Sequence, residues 1–424
     1  MEAVAALVLV GARPRKAALP VLAGAVGSHA GTRSFPVRVA APGRELEDAI
    51  REAGARGPVV VGWSLCSCDL AAAAQERARL AATGRALHVA GGPHPTADPL
   101  GVLRAGFDLA AVGEGERSLP ELLLRIASGG DPRGAGLAWV EEGRLARGPR
   151  PAAVDLDRSP PFAPDLDWFG PIEITRGCPH ACRFCQTAQL QGGRVRHRSP
   201  GAVGRFVAEM AARGKRDVRF LSPSALGYGS TDGQASPAAV EELLARAREA
   251  HGPGGRLFLG SFPSEVRPEH VSREALAILR RFVANDHLVI GAQTGSERML
   301  AASRRGHGVE EVRRAVRIAL EAGFRVKVDL VFGLPGEQED DARATRLLMR
   351  ELAGIGAELH GHAFLPLPGT PWQGEAPGAL DPETRRELER LASRGRASGR
   401  WRRQEALGQA LAAAAPRLPD WRGR

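Results

Sequence analysis

Three of the five cysteines in the 424-residue chain, Cys178, Cys182 and Cys185, stand within the twelve residues "GCPHACRFCQTA". Three thiols cannot pair off as disulfides, and so few cysteines, mostly clustered, fit a reducing compartment where thiols serve metals or redox chemistry. Soft thiolates select zinc, copper, or iron with sulfide. Three of them leave a tetrahedral site one ligand short. A three-cysteine zinc site with an open position meets that count, yet no histidine–glutamate general-base pair of the zinc deaminase kind accompanies it. Arg176, Arg183 and Phe184 would be odd neighbours for such a zinc site.

The loop follows directly on "IEITRG", the first of six strand candidates; the others are "VRFLSP", "RLFLGSF", "HLVIGAQT", "RVKVDLVFGLP" and "ELHGHAFLPLP". Helical stretches over 201–213, 237–250 and 309–322 separate them. Alternation of this kind fits either an open sheet or a partial (β/α)6 TIM-type barrel, and both carry their sites at the C-terminal ends of the strands. Strand periodicity then sorts the faces. In "ELHGHAF" Leu359, Gly361 and Ala363 share one side, and Glu358, His360, His362 and Phe364 share the other. Lys327, Asp329 and Val331 group in the same way on the fifth strand. With the apolar sides against outer helices, His360, His362, Lys327 and Asp329 point inward as candidates for substrate binding or proton transfer. A purely structural Lys327–Asp329 pair is the alternative. Tyr228, the only tyrosine, reads first as a packing residue.

Residues 1–130 alternate in the same manner, with strands "AALVLVG", "FPVRVA", "PVVVGWS", "ALHVAGG" and "FDLAAVG" and helices over 16–28, 44–53, 70–82, 99–104 and 118–127. Continuous apolar strands between helices predict an α/β, doubly wound, Rossmann-like parallel sheet. Its C-terminal strand ends carry "GWSLCSCD", "GGPHPTADP" and "GEGERS". There Ser64, Ser67 and His94 offer hydrogen bonds, and Gly91 and Gly92 allow a close backbone approach. Tight turns of a scaffold explain the same glycines. Residues 131–170 read as a hairpin around Glu142 and Gly143 and a proline-rich linker. The expected division is therefore 1–130, 131–170, 171–375 and a basic helical extension over 376–424.

The length suits two domains, and 43% hydrophobic with 25% charged residues is a globular balance without an apolar run of bilayer length. Met1 to Val10 lacks a basic start and stops at Gly11, so it reads as a first strand rather than a signal peptide, and a soluble cytoplasmic protein is expected. Of the net charge of +10, much sits after residue 383, where eleven arginines stand against four acids. A solvated basic helix is favoured there over a nucleic-acid contact, because aromatic interleaving is limited to Trp401 and Trp421.

The Cys-x3-Cys-x2-Cys spacing with Phe184 before the last cysteine resembles the signature loop of radical S-adenosylmethionine (radical SAM) enzymes. The resemblance implies that Cys178, Cys182 and Cys185 bind three irons of a [4Fe-4S] cluster, with the fourth chelated by the amino and carboxylate groups of S-adenosylmethionine. It also implies reductive cleavage to a 5'-deoxyadenosyl radical and an electron donor such as flavodoxin or ferredoxin; no membrane partner is expected, because no apolar run reaches bilayer length. "FLSPSALGYGS" resembles the segment that meets the methionine part, at Ser222, although a Gly-Gly-Glu form is absent. "GAQTGSERML" resembles the ribose segment, at Gln293, Ser296 and Glu297, and "VDLVFGLPGE" the adenine segment, at Val331 and Gly333.

The front half resembles the cobalamin-binding, flavodoxin-like module that precedes many radical SAM domains, which implies Ser64, Gly91, Gly92, His94 and Glu114 near the corrin or its nucleotide tail. Modules that supply a histidine lower ligand carry Asp-x-His-x-x-Gly after the first strand. This chain has "VGARPRKAALP", so cobalamin is expected without that ligand. The combined expectation is methyl transfer to an unactivated carbon of an unnamed substrate. Radical rearrangement or cyclisation, methylthiotransferase-like modification of RNA or protein, and a non-catalytic cobalamin or S-adenosylmethionine sensor are the alternatives. Cys66 and Cys68 make an incomplete ligand set for the methylthiotransferase case.

Overall fold

Alternate residues of the apolar runs in the front half feed opposite faces of one sheet. The computed structural model describes residues 5–11, 17–83 and 86–414 and divides into two units, Met1–Gly170 and Pro171–Arg424. In the first, strands β1 (Ala6–Val10), β2 (Val37–Ala40), β3 (Val59–Ser64), β4 (Ala86–Gly91) and β5 (Leu109–Ala111) pair in parallel in the order β2-β1-β3-β4-β5. Flavodoxin-like doubly wound sheets take that order, with a switch point between β1 and β3. Val8 and Val61 join one buried cluster with Leu46 and Ile50 of helix α2 (Arg44–Gly54), while Leu7, Leu9 and Val60 join the other with Leu19 of α1 (Ala18–Ser28).

Local boundaries shift where proline and glycine act. The third helix, α3 (Leu70–Arg79), tightens into a 3-10 turn over Leu80–Ala82. "GGPHPT" is a single helical turn, α4 (Pro93–Ala97), started by Pro93, and α5 (Pro99–Arg104) follows. The last helix of the unit, α6 (Gly115–Ala127), begins three residues ahead of the expected 118–127 and also feeds the second cluster, through Leu122 and Leu123.

The hairpin read as the start of a linker, β6 (Leu137–Glu141) and β7 (Arg144–Arg147), turns at Glu142 and Gly143, both at positive φ. It pairs antiparallel with β5 and extends the first sheet to seven strands. A three-residue edge strand leaves unpaired backbone groups, and the hairpin covers them. The proline-rich stretch packs on the same unit, with Trp168 in its second cluster. A Cβ on Gly24 of α1 would stand 2.1 Å from the Phe162 carbonyl oxygen. Residues 131–170 are thus part of the first unit's fold rather than a free connection.

In the second unit the chain order is kept along the sheets. Strands β8 (Ile172–Glu173), β11 (Asp217–Leu221) and β12 (Arg256–Phe258) are parallel in the order β8-β11-β12, with the short strands β9 (Thr175–Arg176) and β10 (Arg196–His197) forming a separate antiparallel pair. Strands β13 (His287–Gln293), β14 (Arg325–Phe332), β15 (Glu358–Ala363) and β16 (Ala397–Gly399) form a second parallel sheet. Between the two, Leu257 of β12 makes a single bridge with Val283, and Ile290 of β13 one with Val266. The helices include α7 (Gln186–Gln191), α8 (Pro200–Ala212), α9 (Pro237–His251), α10 (Arg273–Phe282), α11 (Glu297–Ala302), α12 (Val309–Glu321) and α13 (Glu339–Gly354).

The basic segment after residue 375 is integral to this unit. It contributes α14 (Pro382–Ser393), the edge strand β16 and α15 (Trp401–Ala414), and Trp401 is buried against Gly361 of β15. Its arginines pair with local acids, Arg385 with Glu405, Arg390 with Glu387 and Arg402 with Glu389. Trp421 and the last three arginines lie outside the described residues. Among the described residues no helix is long and apolar enough to cross a membrane.

Gly24→Ala should destabilise the first unit by about 1–3 kcal/mol through overpacking on Phe162. A denaturant midpoint indistinguishable from the parent would show that residues 155–170 do not hold to α1.

Candidate active site

The expected first strand breaks at Ile174. Ile174 still donates to Leu221 of β11, at 2.9 Å, but the next two residues leave the sheet and pair with Arg196 and His197. This short ladder forms a neck, and the cysteine loop is what it encloses. Arg176 holds the neck through its Nη2, 2.5 Å from Glu173 Oε2, and Arg198, fully buried, donates its Nε to the Glu173 carbonyl oxygen at 3.1 Å. The Tyr228 hydroxyl donates to the Arg198 carbonyl oxygen at 2.6 Å, so the only tyrosine packs behind the neck. Gly177 sits at a φ of 90°, where a Cβ would strike the Arg194 carbonyl oxygen at 2.6 Å.

Inside the loop Cys182 is buried, and Cys178 and Cys185 are partly exposed. The loop docks on residues 302–305. Arg183 N donates to the Ser303 carbonyl oxygen at 3.0 Å, and the Arg183 guanidinium lies over Trp372 at 5.3 Å. Arg305, itself buried, approaches Cys182 Sγ through Nη1 at 3.6 Å and donates Nη2 to the Gly291 carbonyl oxygen at 2.8 Å. Burial pushes the Cys178 and Cys185 thiols up, so these sulfurs favour the neutral form until a cation offsets the lost hydration. His180 in the same loop is held neutral, pulled down to about 4 by burial and by Arg267.

The three thiols are a soft donor set of the kind that iron with sulfide takes up.

Beyond the loop, the inward faces of β14 and β15 stand as the period of two requires. Asp329 is directly opposite His360 in the parallel register, and Val331 opposite His362. His360 Nδ1 lies 3.1 Å from Asp329 Oδ1, and the two imidazole rings meet edge to face at 4.4 Å. Burial holds His362 below its ordinary value. Lys327 is half-buried on the same face, but the partner of Asp329 is His360. Farther along the strands, Phe184 and Val331 pack with Met299, Leu334, Phe364 and Trp372 into an apolar wall.

Gln293, at the end of β13, is buried at a φ of 72°, an uncommon backbone state for a residue with a side chain. It follows a register shift between Gly291 and Gln293. A Cβ at 291 would stand 2.7 Å from Gln293 Nε2, 3.1 Å from Arg305 Nη2 and 3.2 Å from Glu265 Oε2, so glycine is needed where these three side chains converge. Glu265 is reached by water yet walled by protein, which raises its pKa above the usual carboxylate range together with the nearby Asp329 charge. Glu265 and Arg305 escaped sequence reasoning. The signal for Glu265 was a charged residue in "FPSEV" just past the third strand, and for Arg305 there was none.

Other expected contacts have partners within the chain. The Ser222 hydroxyl donates to the Ser224 carbonyl oxygen at 2.9 Å. Ser296 caps α11 and donates to Asp341 Oδ1 at 2.5 Å, while Glu297 accepts from Val309 N at 2.7 Å. Gly333, at a φ of 70°, lies where a Cβ would meet the Gly378 carbonyl oxygen at 2.4 Å, and its N–H donates to Glu337 Oε2 at 3.0 Å.

In the first unit, Ser64 and Gly91 end adjacent strands in register. Gly92, at a φ of 107°, crosses Leu65 so closely that a Cβ would lie 2.9 Å from its carbonyl oxygen. Beside it His94 is buried, with Nδ1 3.0 Å from Ser67 Oγ and Nε2 without a hydrogen-bond partner among the described residues. The glycine cradle and the orphaned imidazole nitrogen are features a bound group would use. Glu114 accepts from Val154 N at 2.7 Å, and Cys66 and Cys68 are exposed.

Residues 172–349 match the family model of the radical SAM superfamily. Those residues are similar to that superfamily. It is 28% identical over 341 residues to an uncharacterized protein of Methanopyrus kandleri, covering 69% of this chain and 63% of that protein. It is 31% identical over 238 residues to a tRNA-2-methylthio-N(6)-dimethylallyladenosine synthase of Pelobacter propionicus, covering 56% of this chain and 52% of that one. The chain thus spans between half and two thirds of these relatives. Among solved structures, TsrM of Kitasatospora setae, a radical S-adenosylmethionine methyltransferase with cobalamin and a [4Fe-4S] cluster bound, aligns with a TM-score of 0.70 at 20% identity over 89% of this chain and 75% of its own. OxsB, a cobalamin-dependent S-adenosylmethionine radical enzyme, aligns with a TM-score of 0.63 at 13% identity over 82% of this chain and 52% of its own. At such identities the likeness is one of fold.

Within the matched residues, Glu337 offers a check on the loop at Gly333. Burial raises its pKa from 4.5 to about 7, against the Gly333 N–H bond that lowers it. Between those values the folded chain holds a proton that the unfolded chain has lost, so this contribution to stability is full at low pH and falls as pH rises toward about 7. Glu337→Gln should flatten that fall, read from denaturant midpoints at a series of pH values. An unchanged slope would rule Glu337 out as its source.

Proposed function

We propose that the chain is a radical SAM enzyme in which Cys178, Cys182 and Cys185 hold a [4Fe-4S] cluster and the first unit holds cobalamin, without a histidine lower ligand, for methyl transfer to an unactivated carbon. The observation that carries the reading is the docked cysteine loop, which presents its three thiols just past β9. We read the second unit as a partial (β/α)6 barrel and the first as a flavodoxin-like module, and the likeness to TsrM over 89% of the chain supports both readings. With these groups bound, the cluster and S-adenosylmethionine supply a 5'-deoxyadenosyl radical and cobalamin supplies the methyl group.

The protein's part is placement and exclusion of water. Arg305 anchors Cys182 and thereby the loop. Phe184, Val331, Phe364 and Trp372 make the dry wall beside it, and Gln293 presents its amide from a constrained backbone. Ser296 and Glu297 shape the turn after β13 by capping, so their contribution to a ribose is through the backbone they hold. Gly333 keeps the chain near Gly378, where a nucleoside edge would lie. In the first unit Ser64, Gly91, Gly92 and His94 would hold cobalamin, while Glu114 orders Val154. A flavodoxin or ferredoxin is the electron donor this chemistry requires.

Anaerobically reconstituted protein given dithionite and S-adenosylmethionine should form 5'-deoxyadenosine, and the variant with Cys178, Cys182 and Cys185 all changed to alanine should lose both its iron and that product. Iron retained equally by the variant would overturn the cluster assignment, and product no higher than background would favour a sensor. Saturable hydroxocobalamin binding is expected, and its absence would remove the methyl-transfer reading in favour of rearrangement or cyclisation. Changing Cys66 and Cys68 to serine should leave the iron content unaltered. A loss would instead favour a second cluster of the methylthiotransferase kind.

A further inference from the structure

We infer that Asp329, His360 and His362 form a binding site for one divalent first-row transition ion on the inner face of β14 and β15, separate from the cysteine loop. The three donors lie within 4.8 Å of one another. Some point therefore stands no more than ~2.8 Å from all of them, less than ~1 Å beyond a zinc–nitrogen bond. The individual spacings agree with one shared ion. Donor atoms on one tetrahedral ion stand about 3.4 Å apart. The histidine rings are 4.4 Å apart at 79°, and His360 Nδ1 is 3.1 Å from Asp329 Oδ1.

The backbone makes this arrangement rigid. His360 and His362 are two residues apart on one strand and so share a face, and Asp329 is the register partner of His360 on the neighbouring strand. Sites built on strands hold their geometry better than sites on loops. Gln404 of α15 ties down the end of the strand, since its Oε1 accepts from Ala363 N at 3.1 Å.

The chemistry of the set is selective. Two neutral imidazoles and one carboxylate suit zinc, iron or cobalt rather than magnesium or calcium, and three protein ligands leave a position for water or substrate. Both histidines are only half-buried, so that position is reachable. An Asp329–His360 dyad for proton transfer would explain the 3.1 Å contact alone. It leaves the convergence of His362 on the same point without a cause.

The test counts metal rather than turnover, so its result stands whether or not the chain makes 5'-deoxyadenosine. Reconstituted, desalted full-length protein is equilibrated with zinc chloride and its zinc and iron are measured by elemental analysis. One zinc per chain is expected with no loss of iron. His362→Ala and Asp329→Asn, each retaining the iron and cluster absorbance of the parent, should weaken zinc binding at least ~100-fold, beyond what loss of an outer-sphere partner produces. Zinc bound equally by these variants, zinc taken up only as iron leaves, or no zinc bound by the parent would each overturn the assignment.

Discussion

The buried guanidinium of Arg305 reaches back 123 residues to the cysteine loop at Cys182 and also holds the strand carrying Gly291. A charge in the interior is tolerated only while its donors are used. Arg305 spends them on a sulfur, a backbone carbonyl and His307 Nε2, 3.2 Å from its Nε. The loop itself has little regular structure beyond α7. Moving it away would leave one donor of a buried cation unpartnered, at a cost of about 1–3 kcal/mol, so the position of the three thiols is inherited in part from β13 rather than from the loop's own fold.

The same economy of space governs the inner face of the sheet. Gly291 lacks the side chain that would separate Arg305, Glu265 and Gln293, and the register shift beside it turns Gln293 into the left-handed region. Along β14 and β15 the residues change character in order. Asp329 and His360 come first, Val331 and His362 next, and Phe364 continues into the apolar wall. The polar residues thus lie deeper along the strands than the wall nearest Phe184. Radical chemistry needs such a gradient, because a reactive carbon centre survives only where water and loose polar hydrogens are kept out.

Much of this was legible because it is local. A period of two put Lys327, Asp329 and Val331 on one face and His360, His362 and Phe364 on another, and the parallel register then brought Asp329 to His360 without further information. The thiol spacing was equally direct. The neck was not, since β9 and β10 are two residues each and pair across the nineteen residues 177–195, leaving no periodic trace. The hairpin at Glu142 announced its turn but not its partner, because turn chemistry says nothing about which edge a hairpin will cover. Ser296, Glu297 and Glu114 look like ligand contacts in a motif, yet each meets a backbone N–H or carboxylate that only the fold supplies.

The basic segment shows why charge alone is a poor guide to a role. Counted along the sequence it is an excess of arginine. In the fold, Arg385, Arg390 and Arg402 pair with acids of the same segment, and exposed pairs of this kind contribute little energy but dispose of the charge. What the segment adds is apolar and geometric. Trp401 and Leu388 fill the space left by Gly361, β16 continues the sheet beyond β15, and Gln404 reaches the backbone and imidazole at the strand's end. Without that backing β15 would be an edge strand, free to twist, and the spacing between His360 and His362 on which its inner face depends would lose its support.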